Sequence, residues 1–97
     1  MESTQPTQPL QQGIILVGRK PLMSYALAAF TAFQKSEAVV LKARGRAISR
    51  AVDVEEVTKR KFFPTLKAEI VLGTEIVKDK QTSRETAVST IEITLRK

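Results

Sequence analysis

The segment Lys42-Ala43-Arg44-Gly45-Arg46-Ala47-Ile48-Ser49-Arg50 sets four cations around a single glycine. A second basic pair, Arg19-Lys20, stands between Gly18 and Pro21. These residue types at this spacing suit the gripping of phosphate oxygens. A glycine lets the backbone come close to an anion, and guanidinium groups offer planar arrays of donors. The start of a helix behind such a loop adds free N–H groups with positive partial charge. From Arg19 to Arg50 the basic residues are Arg19, Lys20, Lys35, Lys42, Arg44, Arg46 and Arg50, against the single acid Glu37. That excess of +6 equals the net charge of the whole chain, and the remainder balances at nine basic and nine acidic residues. Charge imbalance concentrated in this way is an electrostatic footprint for a polyanion.

The composition removes most alternatives. Histidine and cysteine are both absent, which excludes disulfides, a thiolate nucleophile and the commonest general base and metal ligand. Only carboxylates remain to hold a hard ion such as Mg²⁺. Asp53, Glu55 and Glu56 are the candidates, and Asp53 and Glu56 share a helix face at i, i+3. A small Mg²⁺-dependent nuclease is one reading of them, but no P-loop, triad or metal cluster supports it. Balancing Arg50, Lys59 and Arg60 across helical turns is the better account. The expectation is a protein that is not an enzyme and has neither cofactor nor metal. No apolar run is long enough to cross a membrane, and the N-terminus lacks a signal pattern. Aromatic residues make up 5% of the chain and none lies in the basic loops, which disfavours single-strand recognition by stacking.

The elements that must position these cations follow from local pattern. Residues 1–12 read as a flexible tail, polar and interrupted by proline, and 13–97 as a single domain. Ile14 to Val17 is a short buried strand. Pro21 suits a first helical position, and Leu22, Tyr25, Ala26, Ala29, Phe30 and Phe33 form the apolar stripe of a helix running to about Lys35. Ala38 to Ala43 is a second strand. Gly45 breaks it, and a second helix runs from about Arg46 to Lys61, with Ile48, Ala51, Val52, Val54 and Val57 on its apolar side and Pro64 closing it. Leu66, Ala68, Ile70 and Leu72 alternate as a third strand, which Gly73 interrupts as a bulge before Ile76 and Val77 resume it. A polar loop follows, and Ser89 to Arg96 is the last strand. The order is βαβαββ: an α+β two-layer sandwich, two helices on a four-stranded mixed sheet. The last two strands are long relative to their loop, so their hairpin projects, with Lys78, Lys80 and Arg84 at its tip. Lys59, Arg60 and Lys61 end a helix, where cations favour the dipole. Tyr25 is a core residue, and of Phe62 and Phe63 one packs inward.

Three blocks together have a wider meaning: Gly18-Arg19-Lys20-Pro21-Leu22-Met23-Ser24-Tyr25, then Lys42 to Asp53, then Lys61-Phe62-Phe63-Pro64. With the closing Ser89-Thr90-Ile91-Glu92-Ile93, the chain from about Ile14 to Lys97 closely resembles the Alba family of archaeal chromatin proteins. The resemblance implies a fold like the C-terminal domain of bacterial initiation factor three. It implies a dimer, with itself or a paralogue, that has a basic saddle and two extended hairpin arms. It also implies binding of double-stranded DNA, and of RNA, with little sequence preference. The basic pattern itself offers Ser24, Lys42, Gly45 and Arg50 as candidate nucleic-acid contacts. By the resemblance Arg19 and Lys20 meet the duplex backbone, and Arg44 and Arg46 line the same surface. Lys78, Lys80 and Arg84 reach along the minor groove, and Phe62 mediates contacts between dimers along DNA.

Two positions depart from the family pattern. The first loop often carries two lysines, the first of them acetylatable, where this chain has Arg19; Lys20 remains modifiable. An asparagine is commonly found where this chain has Ser24, whose hydroxyl can still donate to phosphate. The function expected is a non-catalytic architectural protein that coats and compacts double-stranded DNA, assembling along it, in the cytoplasm on the nucleoid. The alternative is an RNA-binding protein in RNA processing or ribonucleoprotein assembly.

Overall fold

The computed structural model describes residues 12–97. Six elements follow one another: β1 (Gln12–Leu16), α1 (Leu22–Ala32), β2 (Ala38–Arg44), α2 (Ala47–Lys61), β3 (Lys67–Lys78) and β4 (Glu85–Arg96). The expected βαβαββ order is therefore present. Of the tail expected over residues 1–12, Gln12 instead opens β1, and the rest lies outside the described residues. The strands form one mixed sheet in the order β1-β2-β4-β3. β1 and β2 are parallel, and β4 runs antiparallel to both of its neighbours, β2 and β3.

Alternation along the strands decides which face is covered. Val39, Leu41, Ile91, Ile93 and Leu95 are all buried, as are Ala29 from α1, Phe33 at its C-cap, and Ala51 and Val54 from α2. Each large apolar side chain removed from water here contributes about 2 kcal/mol. The alternate positions are mixed: Lys42, Glu92 and Thr94 on the central strands and Glu69 on β3 share their face with Val40, Leu16 and Val71. Both helices thus lie on one face, and the other is open.

The helix ends show where local sequence was a good or a poor guide. Pro21 is the N-cap of α1 rather than its first helical residue, with an extended backbone (φ −54°, ψ 144°). α1 stops at Ala32, short of Lys35, and Lys97 at the far end of β4 donates from Nζ to the Phe33 carbonyl at 3.2 Å. That ammonium also lies 5.7 Å from the ring centroids of Phe33 and Phe63. A cation at a helix C-terminus favours the dipole, and here it comes from another element. On α2 the buried residues are Ala51, Val54 and Thr58, whereas Val52 is exposed. The Thr58 hydroxyl donates to the Val54 carbonyl at 2.7 Å, which removes the penalty for burying it.

Two glycines have clear physical work. A Cβ at Gly13 would stand 2.8 Å from the Ala32 Cβ, so β1 lies close under the end of α1 because this side chain is missing. Gly45, at the turn from β2 to α2, has φ +58°. A Cβ there would meet Val88 Cγ1 at an ordinary 3.6 Å, so the cost of a side chain is backbone strain alone. Gly45→Ala is expected to destabilise the fold by about 1 kcal/mol and to lower Tm by about 5 °C, read by thermal denaturation. Gly73, by contrast, does not interrupt β3. The register from Lys67↔Arg96 to Lys78↔Glu85 is unbroken, with Gly73 opposite Thr90. There is no bulge; the glycine instead leaves room for Thr90 Oγ1, which would stand 3.0 Å from a Cβ at this position.

Candidate nucleic-acid interface

The topology brings the basic segments to one end of the sheet. β1 and β2 are parallel neighbours, with Leu16 opposite Lys42. The loops that leave them, 17–21 and 45–46, therefore emerge on the same side, each leading into a helix. β4 runs the other way. Its pairing with β2 ends at Arg44↔Thr90, whereas its pairing with β3 continues to Lys78↔Glu85. The hairpin thus projects past the end of β2 by roughly 17 Å at strand rise, at the same end of the sheet as both loops. Gly45 donates its N–H to the Ser89 carbonyl at 2.8 Å, tying the central turn to the base of the arm.

Electrostatics at this end favour an anion. Neither helix N-cap has a side-chain hydrogen bond, and neither first turn contains an acid. The positive ends of both dipoles are therefore unopposed within their own first turns. Arg19, Lys20, Ser24 and Arg46 are exposed there. At the hairpin tip Lys78, Lys80 and Arg84 are exposed as well. The tip is built rather than loose. Asp79 accepts from the N–H of Gln81 (2.7 Å) and Thr82 (3.2 Å), and its own N–H donates to the Arg84 carbonyl at 2.8 Å. Ser83 takes a left-handed conformation, φ 61°, to complete the turn.

The other expected residues have partners of their own. Lys42 and Arg44 extend from the open sheet face. Lys42 Nζ lies 3.4 Å from Glu92, and Arg44 Nη1 lies 2.9 Å from Glu75. Both pairs are half-exposed, a setting in which an ion pair contributes at most about 1 kcal/mol. They can open to a phosphate, but only in exchange for an existing partner. Arg50 turns back on the first loop and donates to the carbonyls of Gly18 and Lys20. Among the described residues no ion pair engages Arg19, Lys20, Arg46, Lys78, Lys80 or Arg84. On α2, Glu55 pairs with Lys59 at 3.6 Å and Glu56 with Arg60 at 3.8 Å. No group of three or more His, Cys, Asp or Glu side chains that could hold a metal occurs among the described residues.

Two participants escape a reading by sequence alone. Glu75 has no sequence feature that sets it apart from the other acids, yet it is the counter-ion of Arg44. Tyr25 is buried as expected, but its hydroxyl accepts from the N–H of Gly18 (2.9 Å) and Lys20 (3.0 Å). The available signal was a lone tyrosine on an otherwise apolar stripe, because a buried phenol oxygen needs a partner. Phe63 is the inward member of its pair, edge-on to Phe33 at 5.0 Å. Phe62 stands farther out, tilted against Phe30 at 4.8 Å.

A family model described as Alba matches residues 13–71. The chain belongs to the Alba family. It is 47% identical over 87 residues to the DNA/RNA-binding protein Alba of Thermoplasma acidophilum, covering 88% of this chain and 96% of that one. It is 48% identical to the protein of the same name from Methanococcus maripaludis, over 87% of this chain and 97% of the relative. The solved structure of Alba from Thermoplasma volcanium superposes with a TM-score of 0.80 at 46% identity, covering 88% of this chain and all of that one. The Alba fold is thus the architecture described above, two helices on a four-stranded mixed sheet.

Proposed function

We propose that this Alba-family chain is a non-catalytic architectural protein of archaeal chromatin. It binds double-stranded DNA with little sequence preference, coats it and compacts it, on the nucleoid in the cytoplasm. The observation that carries this reading is the gathering of two basic loops, two uncapped helix N-termini and a basic hairpin at one end of one sheet. Cations spread over that distance match a regular row of phosphates rather than a single ligand. Arg19, Lys20, Ser24, Gly45 and Arg46 take the backbone. Lys78, Lys80 and Arg84 follow the minor groove, and Lys42 and Arg44 join once they leave their carboxylates. Binding to RNA is the second reading, supported by the names of the relatives, which are DNA/RNA-binding proteins.

The proposal includes a homodimer, or a heterodimer with a paralogue, built on β3. That strand lies at an edge of the sheet and is exposed along its whole length. Ile70 and Leu72 pair with Ile93 and Ile91 and so continue the core face beyond the cover of the helices. A long edge strand with an apolar face is a ready site for a second chain. Phe62, half-buried on Phe30, mediates contacts between dimers along the duplex. Phe62→Ala is expected to reduce cooperative coating while leaving the dimer intact, as read by gel shift against duplex length and by sedimentation. Dissociation of the dimer itself would place Phe62 in the dimer interface instead.

Titration into duplex DNA and duplex RNA of one sequence, across several salt concentrations, tests the main reading. Binding should survive scrambling of the sequence and EDTA, and log K should fall by about 0.9 per unit of log salt for each phosphate neutralised. A flat salt slope, dependence on base sequence, or cleavage on adding Mg²⁺ would overturn it.

A further inference from the structure

We infer that Tyr25 and Arg50 are positioning residues: together they hold the loop around Arg19 in the shape that meets phosphate, and Arg50 is not itself a phosphate contact. The inference rests on the function proposed above. Its basis is a set of four hydrogen bonds from two different helices to the same two loop residues. Tyr25, on α1, accepts from the N–H of Gly18 at 2.9 Å and of Lys20 at 3.0 Å. Arg50, on α2, donates from Nε to the Gly18 carbonyl at 2.8 Å and from its terminal nitrogen to the Lys20 carbonyl. Both backbone polar groups of both residues flanking Arg19 are therefore fixed, while the side chains of Arg19 and Lys20 are exposed.

This pairing solves a problem specific to an exposed basic loop. Gly18 to Pro21 has no side chain in the core, and a glycine-led loop loses much conformational freedom when it is ordered. If that ordering waited for the duplex, it would subtract from affinity; ordered beforehand, it does not. Tyr25 suits the task because its ring is 8% exposed and anchored in the core, while its oxygen reaches the loop. The guanidinium of Arg50 suits it because one planar group reaches two carbonyls, a fork that an ammonium lacks. The residue that ranks as a cation by sequence thus directs its donors into the protein. The two parts also approach closely: a Cβ on Gly18 would lie 3.4 Å from the Tyr25 hydroxyl.

The experiment compares the full chain with Tyr25→Phe, Arg50→Lys and the double variant, using a duplex DNA of mixed sequence at several salt concentrations. Tyr25→Phe keeps the ring and every charge but removes the acceptor. It is expected to weaken binding about tenfold, with the salt slope unchanged, because no cation is removed. Arg50→Lys keeps the charge and loses the fork, and should weaken binding to a similar degree. The double variant should be little worse than either single one, since both act through one loop. Amide exchange at Gly18 and Lys20 should quicken in both single variants while the amides of β2 and β4 stay protected. If Arg50→Lys binds as the unaltered chain does, or the two effects multiply, Arg50 contacts phosphate directly and the inference is overturned. Unchanged affinity and exchange in Tyr25→Phe overturn it as well. Failure of the unaltered chain to bind would instead refute the function proposed above. In that case the exchange measurement still shows whether the loop is held.

Discussion

Leu72→Asp is expected to leave a folded monomer at micromolar concentration, in contrast to the dimer proposed for the unaltered chain. The fold should survive because Leu72 is 72% exposed and contributes little to its own core. The dimer should not survive, because an aspartate would have to be buried against an apolar partner surface, and an unpaired buried charge costs several kcal/mol. Sedimentation equilibrium reads the change directly. Binding to duplex DNA should fall with it, by roughly two orders of magnitude or more, since two linked basic surfaces bind far more tightly than one. A Leu72→Asp chain that remains dimeric would move the interface away from the apolar face of β3.

The second large effect is expected from removing together three cations that no ion pair engages among the described residues. Arg19→Ala, Lys20→Ala and Arg46→Ala combined should weaken binding by about tenfold per residue. The salt slope should flatten by about one unit for each phosphate left without its cation, equally for all sequences. Arg44→Ala should cost less than Arg46→Ala, although sequence alone makes them equivalent. Arg44 must first leave Glu75, 2.9 Å away, whereas Arg46 has no ion pair among the described residues. Glu75→Gln should accordingly tighten binding, because it frees Arg44 and removes a negative charge from the proposed interface. Equal weakening at Arg44 and Arg46, with no gain from Glu75→Gln, would show that the ion pair is irrelevant to binding.

The parts of this molecule that sequence revealed are those decided within a dozen residues. Leu22 to Phe33 states its own helical period, and Ile91, Ile93 and Leu95 their own alternation, so element type and order were legible. What local pattern could not supply was pairing across the chain. Gly73 resembles a strand breaker in isolation, but its place opposite Thr90 is fixed by a register running the length of the hairpin. Arg44 and Glu75 are 31 residues apart, and Arg50 and Gly18 are 32 apart. No periodicity joins such pairs. The cluster of cations was therefore visible in sequence, while its division into free, paired and internally engaged members was not. Family resemblance placed the cations on one surface but did not make that division.

The cross-strand ion pairs of the open sheet face have a further consequence for the approach to a partner. Lys42 with Glu92, Arg44 with Glu75 and Arg96 with Glu69 each cancel at close range. Beyond a Debye length of about 8 Å at physiological salt, such pairs contribute almost nothing to the field. The loops, whose cations Arg19, Lys20 and Arg46 have no ion pair among the described residues, then weigh most in what a distant polyanion feels. The hairpin tip adds a smaller share, because Asp79 and Glu85 offset part of the charge of Lys78, Lys80 and Arg84. On the function proposed above, this lopsided charge would turn the loop end toward a duplex before contact and raise the fraction of encounters that are productive. Ionic strength then acts on the rate of association as well as on the complex once formed.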